Sequence, residues 1–330
     1  MKILKDRLNL IDIRAHSLRG KIFYEGIIKY REKILPLLKD RILSPEEFHC
    51  TLCNNNKGKL FLEWEKGYQL FQCNACEAVS PNISLVDISK YLDKVYNTDT
   101  YYKKFSQEIL KNYEYRKKVF GEERYRYILE RLDFPLKTAK ILDIGCGAGY
   151  FLSVLKDKDI IYKGLEVSPQ LVRYCVEQGL NVHSTDLAEE PDDTYDAIVM
   201  FDVLEHLSEP IPLLYTVKEK LKKGGFCVAF TPNIHSVGYE LMLAKQNTLL
   251  PFEHLCFFNQ KSFKYLGKQS GLKIHSVETY GLDIMDYLLM KEYENNVAYT
   301  EHLHDMMVLV QAYLDKTGVS NHFRITLRKE

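Results

Sequence analysis

Residues 141–152, ILDIGCGAGYFL, constrain this chain more than any other stretch: an apolar run carrying Asp143 enters a turn holding Gly145, Gly147 and Gly149, then a helix start. Glycine has no Cβ, so the backbone can turn sharply there and lie against a ligand, while the N–H groups of the opening helix point at it. A nucleotide-like cofactor is implied. The spacing D-x-G-x-G-x-G departs from the G-x-G-x-x-G of dinucleotide folds.

The residues downstream extend the pattern. Residues 160–167, IIYKGLEV, read as a second strand closing on Glu166, 23 positions after Asp143, where a carboxylate can accept both hydroxyls of a ribose. Ser168, Pro169 and Gly179 bracket the next helix as N-cap, first turn and stop. A short strand at 180–183 runs into Thr185-Asp186-Leu187. Residues 195–201, YDAIVMF, form the apolar run of a strand buried on both faces and deliver Asp202, Glu205 and His206 to the carboxyl edge, where open α/β sheets bind ligands. The spacing predicts a helix over 210–223 ended by Gly224-Gly225, then strands at 226–232, 272–280 and 322–328.

This order resembles the class I S-adenosylmethionine (SAM) methyltransferases over about 139–280 plus the last strand. The resemblance implies an α/β fold with a Rossmann-like sheet of seven strands, the last antiparallel, and SAM as cofactor. Carried onto this chain, it implies a SAM site of Asp143, Gly145, Cys146, Gly147, Gly149, Glu166, Val167, Asp186, Leu187 and Phe201, with Asp186 against the adenine amino group.

Four of the eight cysteines fall as Cys50-x-x-Cys53 and Cys73-x-x-Cys76, which is zinc-ribbon spacing. The intervening KLFLEWEKGYQLFQ reads as a hairpin turning at Lys66-Gly67. A closed site of four thiolates leaves no position for substrate, so the expected zinc is structural. Cys146, Cys175, Cys227 and Cys256 read as small core residues.

The expected organisation is a helical N-terminal segment (1–46), a zinc ribbon (47–80), a helical, aromatic-rich linker (81–137) and a SAM-dependent methyltransferase domain (138–330) with a helical insert at 282–318. The insert reads as core or oligomer packing, which leaves a homodimer open. Lys plus Arg equals Asp plus Glu at 45 each, so no overall field attracts nucleic acid. No apolar stretch reaches membrane-spanning length and MKILKDRLNL lacks a signal-peptide core, so a cytoplasmic protein is expected.

Methyl transfer needs the acceptor positioned and its proton removed, and near neutral pH a histidine is the simplest base. Two stand out: His206, just past the fourth strand, and His254 in PFEHLCFFN, a loop after the fifth strand. The ribbon, the tyrosine-rich YNTDTYYKKF and the EH pair before FF together resemble zinc-containing methyltransferases acting on nucleotide-linked sugars and polysaccharides. That resemblance implies an acceptor surrounded by Tyr101 or Tyr102, Glu253 and His254, with His254 as base. The chain departs from it in an extra helical segment before the ribbon and in too few residues after 280 for the additional domain of C-methylating members. O- or N-methylation of a small polar acceptor, a saccharide or nucleotide-linked sugar, is therefore expected.

Three alternatives stay open. Asp202, Glu205, His206 and His254 also resemble the metal site of small-RNA terminal 2′-O-methyltransferases and some quinone O-methyltransferases, whose oxygen and imidazole ligands suit Mg, Mn or Fe. The ribbon could instead read RNA for an RNA methyltransferase, or the fold could serve as a non-catalytic binding module.

Overall fold

The Asp143 strand stands at the middle of a seven-stranded sheet. A computed structural model describes residues 4, 5, 7, 21–64, 67–86, 110–133, 135 and 137–330. Strands β1 (Gly58–Glu63), β2 (Gln69–Cys73) and β3 (Val79–Pro81) form a small antiparallel sheet. The large sheet contains β4 (Lys140–Ile144), β5 (Ile161–Leu165), β6 (Val182–His183), β7 (Tyr195–Phe201), β8 (Leu221–Pro232), β9 (Lys273–Thr279) and β10 (His322–Arg328), in the order β6-β5-β4-β7-β8-β10-β9. β4 to β8 pair in parallel, whereas β10 runs antiparallel between β8 and β9. This is the Rossmann-like α/β architecture expected from the glycine turn, with the last strand wedged into the sheet.

The central strands are buried on both faces, and their successive residues enter opposite cores. Ile198 and Met200 of β7 and Phe323, Ile325 and Leu327 of β10 join one core with helices α5 (Pro210–Lys220) and α6 (Gln260–Ser270). Ala197, Val199 and Phe201 enter the opposite core with α2 (Glu122–Arg131), α3 (Tyr150–Asp157) and α4 (Pro169–Glu177). Phe48, Cys50, Leu52, Phe71, Cys73 and Cys76, on and beside the small sheet, belong to the first of these cores. The cysteine-bearing region and the large sheet therefore bury one continuous apolar surface, the dominant stabilising term in folding.

The N-terminal helix α1 (Lys21–Leu38) packs through Tyr24 on α7 (Asp283–Asn295), and the insert, α7 with α8 (His304–Thr317), buries Met285, Leu289, Met307 and Val308. Among the described residues no helix is long and apolar enough to cross a membrane.

Three expectations change. The helix predicted over 210–223 stops at Lys220, and Gly224-Gly225 lies inside β8, where the ladder with β7 shifts register. Gly224 has φ +79° and a side chain on Gly225 would meet the Lys222 carbonyl at 2.9 Å, so the pair marks a bulge and not a helix stop. The third strand shrinks to Val182–His183. Residues 113–131 are helical, as expected of the linker, but join the sheet's outer layer: a side chain on Gly121 would meet the Tyr150 carbonyl at 2.9 Å. The tyrosine-rich stretch containing Tyr101 and Tyr102 lies outside the described residues, as does Lys66 at the hairpin turn.

Candidate active site

The turn after β4 takes its shape from left-handed backbone at Gly145 (φ +69°), Gly147 (+56°) and Gly149 (+74°). A Cβ on Gly145 would strike Val203 Cγ2 at 2.7 Å and one on Gly149 would strike Leu180 Cδ1 at 2.6 Å, whereas nothing lies within 4 Å of that position on Gly147. Two glycines thus seat the turn against the protein and the middle one faces open space, a cradle that fits a ligand lying on the backbone. Glu166 braces the cradle, accepting from Gly147 N (2.9 Å) through one oxygen and from Ser168 N (2.8 Å) through the other. Each oxygen keeps a lone pair for a ligand hydroxyl.

Asp186 accepts from Ala188 N (2.9 Å) through one oxygen and remains exposed. Val167 is 93% exposed, an apolar side chain held in the open beside Glu166. Leu187 and Cys146 are buried, and the Phe201 ring packs edge-on against Phe151 and Phe230. Beneath the turn, Asp143 is buried with Oδ1 unpartnered among the described residues. Burial pushes its carboxyl up to about 8, with the Arg124 guanidinium opposing and Glu166 adding to the rise.

Arg124 closes the edge from α2. Its guanidinium lies 4.3 Å over the Phe201 ring, donates to Tyr150 Oη (2.8 Å) and reaches Asp202 Oδ2 (3.3 Å). Asp202 occupies the left-handed region (φ +61°), which turns its carboxylate toward Arg124 and, at 3.9 Å, His322 Nε2.

Beyond Asp202, a 3₁₀ turn at Leu204–His206 presents Glu205 and His206, and the loop after β8 returns with His254. The main-chain carbonyl of Glu205 accepts from Leu255 N (2.7 Å) and Cys256 N (3.1 Å), which brings the two loops together. The His206 and His254 rings meet edge to face with centroids 4.7 Å apart. One donor atom from each of Glu205, His206 and His254 lies within 4.8 Å of the other two. His254 Nδ1 sits 2.6 Å from the Thr248 carbonyl, which requires the proton on Nδ1 and leaves Nε2 as a lone pair. A main-chain interaction with Glu253 favours the charged form of His206, against its burial.

Burial holds both imidazoles below their usual range, far below for His254, where His206 adds to the effect. Burial, with Asp202 adding to it, drives the Glu205 carboxyl well up, against a hydrogen bond from Thr231 Oγ1 (2.9 Å). Two neutral imidazoles, that of His254 oriented through Nδ1 by a carbonyl, beside one carboxyl are the donor set of a divalent cation site.

The four ribbon thiols also converge, with Cys50 and Cys76 Sγ 3.5 Å apart, Cys53 and Cys73 Sγ 3.4 Å apart and all four within 4.8 Å. Tetrahedral zinc with Zn–S of about 2.3 Å needs sulfurs about 3.8 Å apart, so the set fits that ion.

The structure thus gathers Asp143, the glycines, Glu166, Val167 and Asp186 at one edge and Glu205, His206 and His254 beside them. It does not bring Asp202 into the histidine cluster, because the left-handed backbone aims it elsewhere. The contact that orients His254 comes from the Thr248 carbonyl, and Glu253 beside it is buried. Arg124, Thr231, Thr248 and His322 were not singled out by sequence; only Tyr150, adjoining the glycine run, had a positional cue.

A family model described as a methyltransferase domain matches residues 113–277. Among curated proteins, the chain is 29% identical to a ubiquinone biosynthesis O-methyltransferase of Xylella fastidiosa over 119 residues, 33% of this chain and 48% of that protein. It is 31% identical to another from Xanthomonas oryzae over 111 residues, 31% of this chain and 46% of that one. The chain therefore spans about half the length of the curated relatives it matches. Similar solved structures include a SAM-dependent methyltransferase from Archaeoglobus fulgidus (21% identity, 67% of this chain, 98% of that one, TM-score 0.47). Phosphoethanolamine N-methyltransferase 2 of Haemonchus contortus is another (16% identity, 76% and 62%, TM-score 0.49).

The raised Asp143 carboxyl gives a pH signature. Unfolded, it ionises near pH 4; folded, it holds its proton to about 8. Between those values the native state binds the extra proton, so stability falls as pH rises, by up to about 1.4 kcal/mol per unit. In urea titrations of the ligand-free protein, Asp143→Asn is expected to flatten that decline; a parallel decline in both proteins would contradict the assignment.

Proposed function

Because this chain belongs to the methyltransferase-domain family, whose model covers half of it, we propose that it transfers a methyl group from SAM to an oxygen of a small polar acceptor at the Glu205–His206–His254 cluster. The observation that carries the reading is the convergence of these three donors, with the Thr248 carbonyl orienting the His254 imidazole. SAM brings an electrophilic methyl on a sulfonium, so the protein must align the acceptor and lower the cost of its deprotonation. The open face of Gly147, the spare lone pairs of Glu166, exposed Val167 and Asp186 support binding of a ribose and an adenine. Glu205, His206 and His254 would hold a divalent cation, which supplies Lewis acidity toward an acceptor oxygen.

Three protein ligands leave coordination positions for two neighbouring oxygens, so we propose a vicinal diol or related acceptor. A sugar diol and an aromatic diol both satisfy that requirement; the curated relatives, named as O-methyltransferases of ubiquinone biosynthesis, support oxygen as the atom methylated. The balanced charge supports a small molecule over RNA. A second reading keeps His254 as general base, since Nε2 offers a lone pair. We further propose that Cys50, Cys53, Cys73 and Cys76 hold a structural zinc.

Incubation with methyl-labelled SAM and panels of aromatic diols and nucleotide-linked sugars is expected to yield an O-methyl ether. Magnesium or manganese should stimulate turnover, and both His206→Asn and His254→Asn should lower it. If only His254→Asn matters, by about 10²–10⁴-fold, and metal has no effect, the base reading replaces the metal one. An N- or C-methyl product would contradict the oxygen assignment. Elemental analysis of protein purified without chelator should find one zinc per chain, lost in Cys50→Ser with Cys73→Ser; zinc retained in that variant would contradict the ribbon site.

A further inference from the structure

The loop that carries His254 is held by parts of the chain that precede the large sheet. From the ribbon, Val79 and Phe257 exchange two main-chain hydrogen bonds (3.0 and 2.8 Å), and Thr51 Oγ1 donates to the Leu255 carbonyl (3.0 Å). Thr51 lies inside the first cysteine knuckle, between Cys50 and Cys53. Its single hydroxyl proton goes to Leu255, so at 2.8 Å it must accept from Ser80 Oγ, which in turn accepts from Thr51 N (3.2 Å) and stands 3.9 Å from Cys50 Sγ. A buried path of hydrogen bonds thus runs from the main chain of the first cysteine knuckle through Ser80 and Thr51 to the histidine loop. The second knuckle reaches the loop's far end, where Asn259 Nδ2 donates to the Glu77 carbonyl (2.6 Å).

Helix α1 grips the other side. Tyr30 Oη donates to the Pro251 carbonyl (2.8 Å), and Arg31 donates to the carbonyls of Gln246 and, at 3.1 Å, Leu249. Between these holds, Phe252 is fully buried with φ +71°, a conformation that a bulky side chain keeps only where its surroundings over-determine it. It packs in a cluster with Ile34 and Leu35 of α1 and Tyr68 and Val79 of the ribbon.

We infer that the ribbon and α1 act together as the positioning device for the His254 loop, with Thr51 and Tyr30 as positioning residues, so that the thiol cluster sets where His254 stands against His206 and Glu205. This rests on the histidine cluster being the site of reaction, but its test does not need the acceptor.

Hydrogen exchange of the peptide spanning 250–258 reads the hold directly. Removing one neutral hydrogen bond, in Thr51→Val or Tyr30→Phe, should speed exchange there by roughly three- to ten-fold, while residues 141–152 keep the parental rate. Thr51→Ser, which retains the hydroxyl, should restore the parental rate. Titration with Mn(II) alone should show weaker binding in Thr51→Val and recovery in Thr51→Ser. Parental exchange in both hydroxyl-deleted variants, or equal acceleration at 141–152, would overturn the inference. A parent protein that binds no Mn(II) would remove the metal reading, and the exchange rates would still decide the positioning role.

Discussion

One carbonyl joins the two halves of the site. Glu205 O accepts from Leu255 N and Cys256 N at once, and this forked contact ties the turn after β7 to the loop after β8. Its partners are buried main-chain donors, which folding cannot leave unpaired without loss of about the desolvation penalty of each. The contact therefore fixes the approach of His254 to His206, and with it the chemistry open to them. Enclosed together, the imidazoles are driven neutral, and the Thr248 carbonyl takes the Nδ1 proton of His254, so its Nε2 keeps a lone pair.

The cofactor edge follows a different logic. There the backbone shapes the cradle: two glycines press the turn onto Val203 and Leu180, the third leaves a face open, and Glu166 spans turn and helix. Arg124 sits between the two regions, stacked on Phe201 and reaching Asp202. Asp202 is thereby engaged in holding the edge together and stays outside the metal-like cluster.

The cofactor edge was legible in the sequence because glycine spacing, a strand-ending acid and a cysteine pair-of-pairs are local patterns with local physical causes. Gly145, Gly147, Glu166 and the Cys50–Cys76 set could be named from spacing alone. The acceptor side was legible only as candidates. His206 and His254 were visible, but what orients His254 is a main-chain carbonyl, and such a contact leaves no mark on residue identity. Arg124 fell in a stretch that reads as linker, since its role depends on α2 folding back over β7. Asp202 could be named only as one ligand of an alternative, because residue type suggests a ligand while the left-handed φ that accompanies its contact with Arg124 is not written in residue type. The ribbon's part in the main core was likewise hidden, because cysteine spacing describes a closed module and says nothing of the face it shares with α5 and α6.

The central claim is that Glu205, His206 and His254 form one divalent cation site beside the cofactor cradle. Anomalous diffraction from crystals grown with Mn(II) and S-adenosylhomocysteine tests it most directly. One manganese peak is expected about 2.1 Å from donors of all three residues, with the cofactor product over Gly147. Cofactor density there without a peak at the histidines, or a peak held by Asp202 in their place, would contradict it.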